Sequence, residues 1–503
     1  MWAVDMVLSF PVRPRGYLQF YHISRPLYLV GITAIPNEPG NLPNAAAMER
    51  FFRVNNEATS GRAVFAVADG FLVFTRHGTR INATKFGTAG AIVSSKDLNC
   101  GIDGWIKTIV TTADGGYLIG GNRNASPQNG WVLKLASDLA YQWGKRIGTG
   151  YSAWVGGAKP TADGGTIALV RDHDGFGVIK WDASGNVQWQ KRVYLGTAGY
   201  QTDVYDIYEN TYLDGASQRQ CGGYILYGAV QNTSDDMDWD LYLAALSCDG
   251  NTLLWQRRIG GSWWEGSAIV SGTISSWSSN LAVVQDANGT NTQNANLAVA
   301  ASSGSFDNLG TSVLLIPLTI SGATTLNTFT IGTIRHLNSA DDGEYVLGPY
   351  GGPNFLRLSD GNLLVTGESD GYGNGEDDIF LVKLNPAFGI LWQTGYSASN
   401  DDTMYAFGLS ESATDLQVAA VRRLLSGNAA LFMQVSPTGA NSGEYLTRLT
   451  TTFTVTDVSP TIYTPSYALE SGTMTVSNET CTAENVSAAL LFTNSLYLPL
   501  ILR

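Results

Sequence analysis

The chain has 503 residues and a formal net charge of −13, with 57 glycines and only 15% charged residues. This composition is typical of a β-rich, turn-rich globular protein and excludes an intrinsically disordered one. Lys and Arg total 30, which argues against a nucleic-acid partner, because affinity for nucleic acid depends on clustered cations.

The run that comes closest to a membrane span is PLYLVGITAIP at 26–36. It is shorter than the roughly 18 apolar residues that a span needs. It follows Arg25 but lacks a clear small-residue cleavage site, so it does not identify a signal peptide. The sequence predicts no membrane span, and export has to be argued from other features.

A short turn motif recurs along the chain. TTADGGYLIGG at 111–121 places Asp-Gly-Gly between two strand-like runs, and an Asp-Gly step favours a hairpin because Gly adopts positive φ without steric cost. Related stretches are PTADGGTIALV at 160–170, CGGYILYGAV at 221–230 and LSDGNLLVTGES at 358–369. Each is followed by a second apolar run and usually a Trp. The period of roughly fifty residues predicts an array of repeated supersecondary units.

Residues 104–150 show the unit most clearly. They divide into four short strands, WIKTIVTT, YLIGGN, GWVLKLA and YQWGKRIG, separated by turns. A four-stranded meander cannot bury both of its faces alone, so the copies must stack radially. The unit is therefore interpreted as one blade of a β-propeller.

Weaker copies lie at 64–98, 296–332 and 415–446, which gives about seven blades, although six or eight would also fit. A two-sheet sandwich would show alternating strands too, but it would not repeat Asp-Gly-Gly, Lys and Trp in a fixed order. We predict an all-β fold with three parts: an N-terminal extension at 1–58, a propeller of four-stranded blades at 59–450, and a C-terminal β extension at 451–503.

The repeat resembles the degenerate propeller repeats of bacterial and archaeal secreted or surface proteins. Those repeats have the form DGGY-x-[IVL]-x-G, followed by D-x-[WF]-[LV]-[LIV]-K-[LW]-[DN]-x-x-G-x-[VL]-x-W. The resemblance here is carried by stretches such as DGGYLIGG, GWVLKLASDLAYQW and FGVIKWDASGNVQW. It implies a propeller and a surface location, and it implies little about activity.

The four cysteines show no CxxC spacing and the four histidines are scattered, so no zinc or haem motif is present. Cys221 precedes the strand YILYGAV and Cys248 follows the strand DLYLAALS, so folding this hairpin brings the two within bridging reach. A disulfide there implies an oxidising compartment, and buried free thiols are the alternative. Elimination pairs Cys100 with Cys481, which would tie the C-terminal segment to the first blade.

Two acidic loops, SDDMDWD at 234–240 and SDGYGNGEDD at 369–378, occupy equivalent places in their copies. Ca²⁺ binds several oxygen ligands from a turning loop, and neither loop has EF-hand spacing, so a solvated acidic turn is the alternative. No other cofactor is predicted. The candidate Ca²⁺ ligands are Asp235, Asp238, Asp240, Asp370, Asn374, Glu376 and Asp378.

The tryptophans form two groups. Those at 143, 189, 255 and 392 have a fixed place in the repeat, which predicts packing between blades. Trp154, Trp263 and Trp264 fall outside this row and are candidates for exposed ligand contacts. Sequons permit glycosylation at Asn82, Asn124, Asn232, Asn288, Asn478 and Asn485.

The two ends lie outside the blade count. SAALLFTNSLYLPLILR at 487–503 is apolar, with Arg503 as its only charged side chain. This segment either completes a sheet of its own molecule or adds as a strand to a neighbouring subunit, which head to tail would build a filament.

Catalytic signatures are missing from the sequence. There is no GxSxG elbow, HExxH or P-loop, so an enzyme is unsupported. We expect a non-enzymatic extracellular or cell-surface structural or interaction propeller, whose partners are its own copies or surface glycans and proteins. A glycan-binding propeller is the first alternative, and a polysaccharide-directed enzyme with a central carboxylate pair is the second.

Overall fold

The protein is an all-β, seven-bladed propeller, as a computed structural model of the chain confirms. The described residues are 9–12, 16–20, 32–33, 48–77, 80–100, 104–123, 128–149, 152–172, 175–194, 202–231, 239–260, 280–285, 295–303, 312–321, 328–338, 344–345, 354–369, 377–397, 404–413, 415–422, 428–439, 446–449, 451, 454–458, 461–463, 468–471, 474–479, 482–486 and 488–490. Within these residues, no helix has the length and apolar content that a membrane crossing requires.

The chain divides into two compact units, residues 1–46 and 47–503. The first unit contains one antiparallel sheet of three strands in sequential order. Its strands are β1 (Ser9–Val12), β2 (Gly16–Phe20) and β3 (Ile32–Thr33).

The second unit is the propeller. It opens with β4 (Met48–Val54), and the blades then follow as antiparallel meanders whose first strand is innermost. The first blade contains β5 (Thr59–Val67), β6 (Gly70–His77), β7 (Arg80–Gly87) and β8 (Ile92–Asn99). The second contains β9 (Gly104–Thr111), β10 (Tyr117–Arg123), β11 (Gly130–Leu135) and β12 (Tyr141–Gly148). The third contains β13 (Val155–Pro160), β14 (Thr166–Asp172), β15 (Gly175–Trp181) and β16 (Val187–Tyr194).

The remaining blades continue in the same way, with a divided inner strand in the sixth and one additional strand, β24, in the fifth. The fourth blade contains β17 (Thr202–Leu213), β18 (Arg219–Gln231), β19 (Trp239–Leu246) and β20 (Leu253–Gly260), and the fifth contains β21 (Asn280–Gln285), β22 (Ala295–Ser303), β23 (Ser312–Ser321), β24 (Thr328–Ile331) and β25 (Ile334–Asn338). The sixth blade contains β26 (Glu344–Tyr345), β27 (Phe355–Arg357), β28 (Leu363–Ser369), β29 (Asp378–Leu384) and β30 (Ile390–Ser397). The seventh contains β31 (Met404–Glu411), β32 (Leu416–Arg422) and β33 (Ala429–Val435).

The seventh blade closes the ring. Its fourth strand is β4, which pairs with β33 in the register Phe52 opposite Ala430. Sequence from the predicted N-terminal extension therefore completes the last blade, which removes the open edge that an unclosed ring would have.

The C-terminal segment adds a fifth strand to every blade. These strands are β34 (Thr447–Leu449), β35 (Thr454–Val458), β36 (Thr461–Tyr463), β37 (Ala468–Ser471), β38 (Thr475–Glu479), β39 (Thr482–Asn485) and β40 (Ala488–Leu490). They pair in turn with the outer strands of blades six, five, four, three, two, one and seven. We call residues 447–490 the belt, and it covers its own molecule. Residues 491–503 lie outside the described residues.

The hydrophobic core of the described ring contains seven large clusters, one at each interface between adjacent blades, and a small eighth cluster at Phe407 and Val421. At the interface of the third and fourth blades, for example, the rings of Phe176 and Tyr242 stack with their centroids 4.7 Å apart. Each blade thus buries its faces against its neighbours, as a meander of apolar strands requires.

The recurring Trp locks adjacent blades together, as its fixed position predicts. Trp143 lies on Gly185 of the next blade, where an added Cβ would approach the indole to 2.9 Å, and its Nε1 donates to the carbonyl oxygen of Ala183 at 3.2 Å. Trp392 repeats the contact on Gly439, where an added Cβ would lie 2.7 Å from the indole. Both glycines have positive φ, so the turn needs Gly both for its backbone and for the space.

The Asp of the Asp-Gly-Gly turn is a structural residue. Asp114 accepts hydrogen bonds from Thr112 and from the Gly116 amide, and it forms an ion pair with Lys134 at 2.9 Å. These contacts, the Thr112 hydrogen bond first, lower the pKa of Asp114 to about 2. The ion pair recurs as Lys180–Asp163 at 2.8 Å and Lys383–Asp360 at 2.6 Å, so it belongs to the repeat.

Candidate binding site at the channel mouth

The inner strands carry a β-bulge at equivalent places in blades one to five and seven. A bulge leaves one residue out of register and redirects its side chain. Inner strands surround the central channel of a propeller and all begin at the same face. The bulges therefore form a ring at that end, which we call the channel mouth. The residues at the bulges are Arg62, Lys107, Gly156, Tyr205, Val284 and Phe407.

Trp105 is the exposed aromatic residue of the channel mouth. It lies at the start of β9, and 39% of its surface is accessible. The guanidinium carbon of Arg76 lies 4.7 Å from the centroid of its ring, and that of Arg62 lies 5.6 Å away. Arg62 also lies 4.7 Å from the ring of Phe407, so its guanidinium is held between aromatic rings of the second and seventh blades.

A buried carboxylate, Asp203, lies at the start of β17. Burial raises the pKa of Asp203, and the charges of Lys107 and Arg171 oppose that shift. The Nε1 of Trp154 donates to Asp203 Oδ1 at 3.1 Å, and the Arg171 guanidinium lies 3.9 Å from the Trp154 ring. Asp203 therefore anchors Trp154 across the interface of the third and fourth blades.

The channel mouth combines an exposed indole with positive charge. Indole faces stack on flat apolar surfaces, including sugar rings, and guanidinium groups donate several hydrogen bonds in a fixed plane. Since the half-buried Arg76 is already placed against Trp105, a ligand on this indole would meet its donors without reordering that long side chain. The arrangement is suited to binding.

The predicted Ca²⁺ ligands are only partly within the described structure. Asp235, Asp238, Asp370, Asn374 and Glu376 lie outside the described residues. Within the part that is described, no group of three His, Cys, Asp or Glu side chains is placed to hold a metal ion. Ca²⁺ binding stays a prediction.

The other two predicted ligands are buried: Asp240 is the second residue of β19 and Asp378 is the first residue of β29. Arg258 Nε donates to Asp240 Oδ2 at 3.0 Å, so this carboxylate has a protein cation as its partner. Burial raises the pKa of Asp378 to about 7. Neither side chain is presented as a solvated loop ligand.

Of the three tryptophans predicted to contact a ligand, the described residues include Trp154. Its ring is half-buried and its Nε1 is bound to Asp203, and a ligand contact there stays a prediction. Trp263 and Trp264 lie outside the described residues. Trp105 is exposed, and the sequence reasoning missed it.

The structure joins Cys221 and Cys248, with their Cα atoms 6.0 Å apart, as the hairpin predicts. Cys100 is disulfide-bonded as well. Cys481 lies outside the described residues, and the strand pairing sets its neighbour Thr482 opposite Asn99. The pairing of Cys100 with Cys481 stays a prediction that this register supports.

The sequons differ in their accessibility. The Asn82 side chain is fully buried and donates to Ser95 Oγ at 2.9 Å and to Asp97 Oδ1 at 3.0 Å, which leaves no room for a glycan in the folded protein. Asn478 and Asn485 lie in belt strands β38 and β39. Asn124, Asn232 and Asn288 lie outside the described residues.

The solved structures that match this chain include two proteins of limited similarity. The crystal structure of polysaccharide lyase Uly1 has a TM-score of 0.40 and 9% sequence identity, over 78% of this chain and 99% of that one. The crystal structure of puromycin hydrolase has a TM-score of 0.27 and 14% identity, over 68% of this chain and 54% of that one. No protein-family model and no curated protein matches the sequence. These values carry no argument about activity, and the fold rests on the strand pairing described above.

Proposed function

We propose that the protein is a non-enzymatic extracellular or cell-surface interaction propeller that binds a glycan at the channel mouth. The observation that supports this function is the exposed indole of Trp105, which lies beside the guanidinium groups of Arg62 and Arg76. An exposed Trp at a bulged, unrepeated site differs from the recurring Trp residues, which are buried or half-buried between blades.

The surroundings of Trp105 favour binding over catalysis. Asp203, the buried carboxylate of the channel mouth, accepts hydrogen bonds from the Trp154 indole and from the Val204 amide at 2.9 Å. A carboxylate held in this way orients an aromatic neighbour. Glycoside hydrolysis instead uses a pair of carboxyl groups that flank the scissile bond.

The proposed location follows from cysteine chemistry. The Cys221–Cys248 disulfide joins the two ends of a hairpin in the fourth blade. Structural disulfides persist in oxidising compartments and are rare in the cytosol, which supports a secreted or surface-exposed protein.

Binding of the full chain to a glycan array tests the proposal. We expect one class of glycan to bind, and Trp105→Ala to weaken that binding at least tenfold because the stacking surface is lost. The matched control is Val187→Ala, which trims an exposed apolar side chain on the outer strand β16. An array without binding, or equal binding by Trp105→Ala and the unmodified chain, would contradict the proposal.

Self-assembly through the terminal segments is a second candidate function. The observation that favours it lies on the outside of the ring, where exposed apolar residues accompany strand edges that the belt covers only in part. In a head-to-tail arrangement such edges join copies into open assemblies. Light scattering of the full chain over a range of concentrations tests whether assemblies form.

A further inference from the structure

In the first, third and sixth blades the belt covers only the C-terminal part of the outer strand. In the first blade it pairs with Lys96–Asn99 of β8, in the third with Lys191–Tyr194 of β16, and in the sixth with Gly395–Ser397 of β30. Among the described residues, the belt does not pair with the first three residues of these strands, and its contact in the first blade ends at Ser95, whose carbonyl oxygen accepts a hydrogen bond from the Val486 amide at 3.1 Å. The edges are therefore half covered.

The uncovered parts of these strands are apolar. The most exposed large apolar residues of the described chain, apart from Trp105, are Val93 at 61%, Leu391 at 51% and Val187 at 43%. They lie at the first or second position of β8, β30 and β16 respectively. We call the first three residues of these three strands the half-covered rim.

Open strand edges with apolar side chains are templates for strand addition. The unpaired amide and carbonyl groups of the edge supply hydrogen bonds, and the alternate side chains supply apolar contacts. Proteins that avoid such pairing place Lys or Pro on their edges. The rim instead exposes the apolar residues Val93, Val187 and Leu391, which do not oppose the pairing of an added strand.

The chain itself contains a segment of matching chemistry. Residues 491–503, LFTNSLYLPLILR, follow β40, whose Leu490 lies opposite Phe52 of β4. Continuing this register would take about four residues to reach the start of β4, because antiparallel partners advance one for one. The thirteen residues at 491–503 exceed that need, and extended they reach about 45 Å.

We propose that residues 491–503 of one copy add as a β-strand to the half-covered rim of a second copy. The inference rests on the self-assembly function proposed above and assigns its donor and its acceptor. The donor leaves from the seventh blade, whereas the acceptor edges lie on the first, third and sixth blades. Donor and acceptor are different surfaces, so a head-to-tail contact between them is heterologous, and it builds an open chain when the rotation between copies does not close a ring.

Two measurements on the protein test this proposal. The first compares the assembly of the full chain with that of a chain lacking residues 491–503, by light scattering and negative-stain microscopy. We expect the shortened chain to stay monomeric with an unchanged melting temperature, because the described ring strands stop at Leu490.

The second measurement uses a fluorescent peptide of residues 491–503 and the shortened chain. We expect saturable binding, weakened at least tenfold when Val93→Lys, Val187→Lys and Leu391→Lys are combined, since edge lysines oppose strand addition. The matched control is Ser477→Lys, at an exposed position of belt strand β38 on the covered part of the outside, and it should bind the peptide like the unmodified ring.

The outcomes separate the inference from the function on which it rests. A full chain that stays monomeric at every concentration overturns both the self-assembly function and the inference. Two results overturn the inference alone. One is assembly that persists without residues 491–503, and the other is peptide affinity that is unchanged when the three lysines are introduced.

Discussion

The fourth and sixth blades have a buried aspartate at equivalent positions of the third strand, but the surroundings of its carboxylate differ. Asp240, the second residue of β19, forms an ion pair with Arg258, whereas burial raises the pKa of Asp378, the first residue of β29, to about 7. The register explains the difference. Arg258 lies opposite Tyr242, two residues after Asp240, and the corresponding place in the sixth blade, opposite Phe380, is occupied by Gly395.

This comparison shows how a repeat diverges without losing its fold. Both blades keep the strand pairing and the apolar interfaces with their neighbours. They differ in whether a buried carboxylate has a cation beside it, which changes the charge state that the folded protein favours and the pH at which the blade is most stable.

Replacing Arg258 with Gln should have the largest effect, because it makes the fourth blade resemble the sixth. Asp240 is buried, and removing one partner of a buried ion pair costs about 3–5 kcal/mol. Denaturant unfolding at neutral pH measures the loss. Arg257→Gln is the control, since the neighbouring Arg257 donates to the backbone carbonyl of Gln256 at 2.7 Å. Equal losses in the two variants would contradict the assigned ion pair.

Removing the disulfide of the fourth blade should rank next. The double variant Cys221→Ser, Cys248→Ser releases a cross-link between residues 27 apart in sequence, which costs about 3 kcal/mol through the entropy of the unfolded chain. The melting temperature should fall, and a reducing agent should lower it less in this variant than in the unmodified protein. An unchanged melting temperature would show that the bridge contributes no stability.

Asp378→Asn should stabilise the sixth blade in a pH-dependent way. The folded-state pKa of about 7 exceeds the ordinary value of 3.8, so the folded protein binds more protons between these limits and its stability falls as pH rises from about 4 to 7. The variant lacks this loss, and its stability relative to the unmodified chain should grow by a few kcal/mol over the same range.

The pH profile of unfolding measures this change, with Asp240→Asn as the control that should destabilise instead. Burial likewise raises the pKa of Glu209 to about 7, so a residual slope of the same sign should remain in Asp378→Asn. A stability difference that is independent of pH would show that Asp378 does not titrate in this range.

The smallest effect should come from the turn ion pair shared by several blades. Lys383→Met removes the partner of Asp360, whose side chain is about half exposed, so we expect at most about 1 kcal/mol. The pKa of Asp360 is lowered to about 2, so this contribution is present above the ordinary value of 3.8 and is lost as pH falls towards 2. Thermal melts at pH 7 and pH 2 should differ between variant and parent only at pH 7.

The repeat made the fold predictable from sequence. Asp-Gly-Gly, Lys and Trp recur because each makes the same local contact in several blades: the turn at Asp114, its ion pair with Lys134, and the packing of Trp143 on Gly185. The Cys221–Cys248 disulfide could also be predicted from the sequence, because it joins the two ends of one hairpin. A local contact that recurs in each blade requires the same residue types at a fixed spacing in the sequence.

The belt and the channel mouth left no such signal. Belt strands of three to five residues pair with strands hundreds of positions away, as Thr482 does with Asn99, and nothing in so short a stretch specifies its partner. At the mouth, the bulges at Arg62 and Phe407 depend on pairing between strands, which the spacing of apolar residues does not encode. Trp105 opens the inner strand WIKTIVTT outside the recurring Trp row, and this was the one available hint.

Hydrogen exchange with and without a bound oligosaccharide from the array tests most directly whether the channel mouth is the binding site. We predict that the ligand protects amides at the starts of inner strands β5, β9 and β31, around Arg62, Trp105 and Phe407, and that Trp105→Ala abolishes this protection. Protection confined to the acidic segments at 234–240 and 369–378, with the inner strands unchanged, would contradict it.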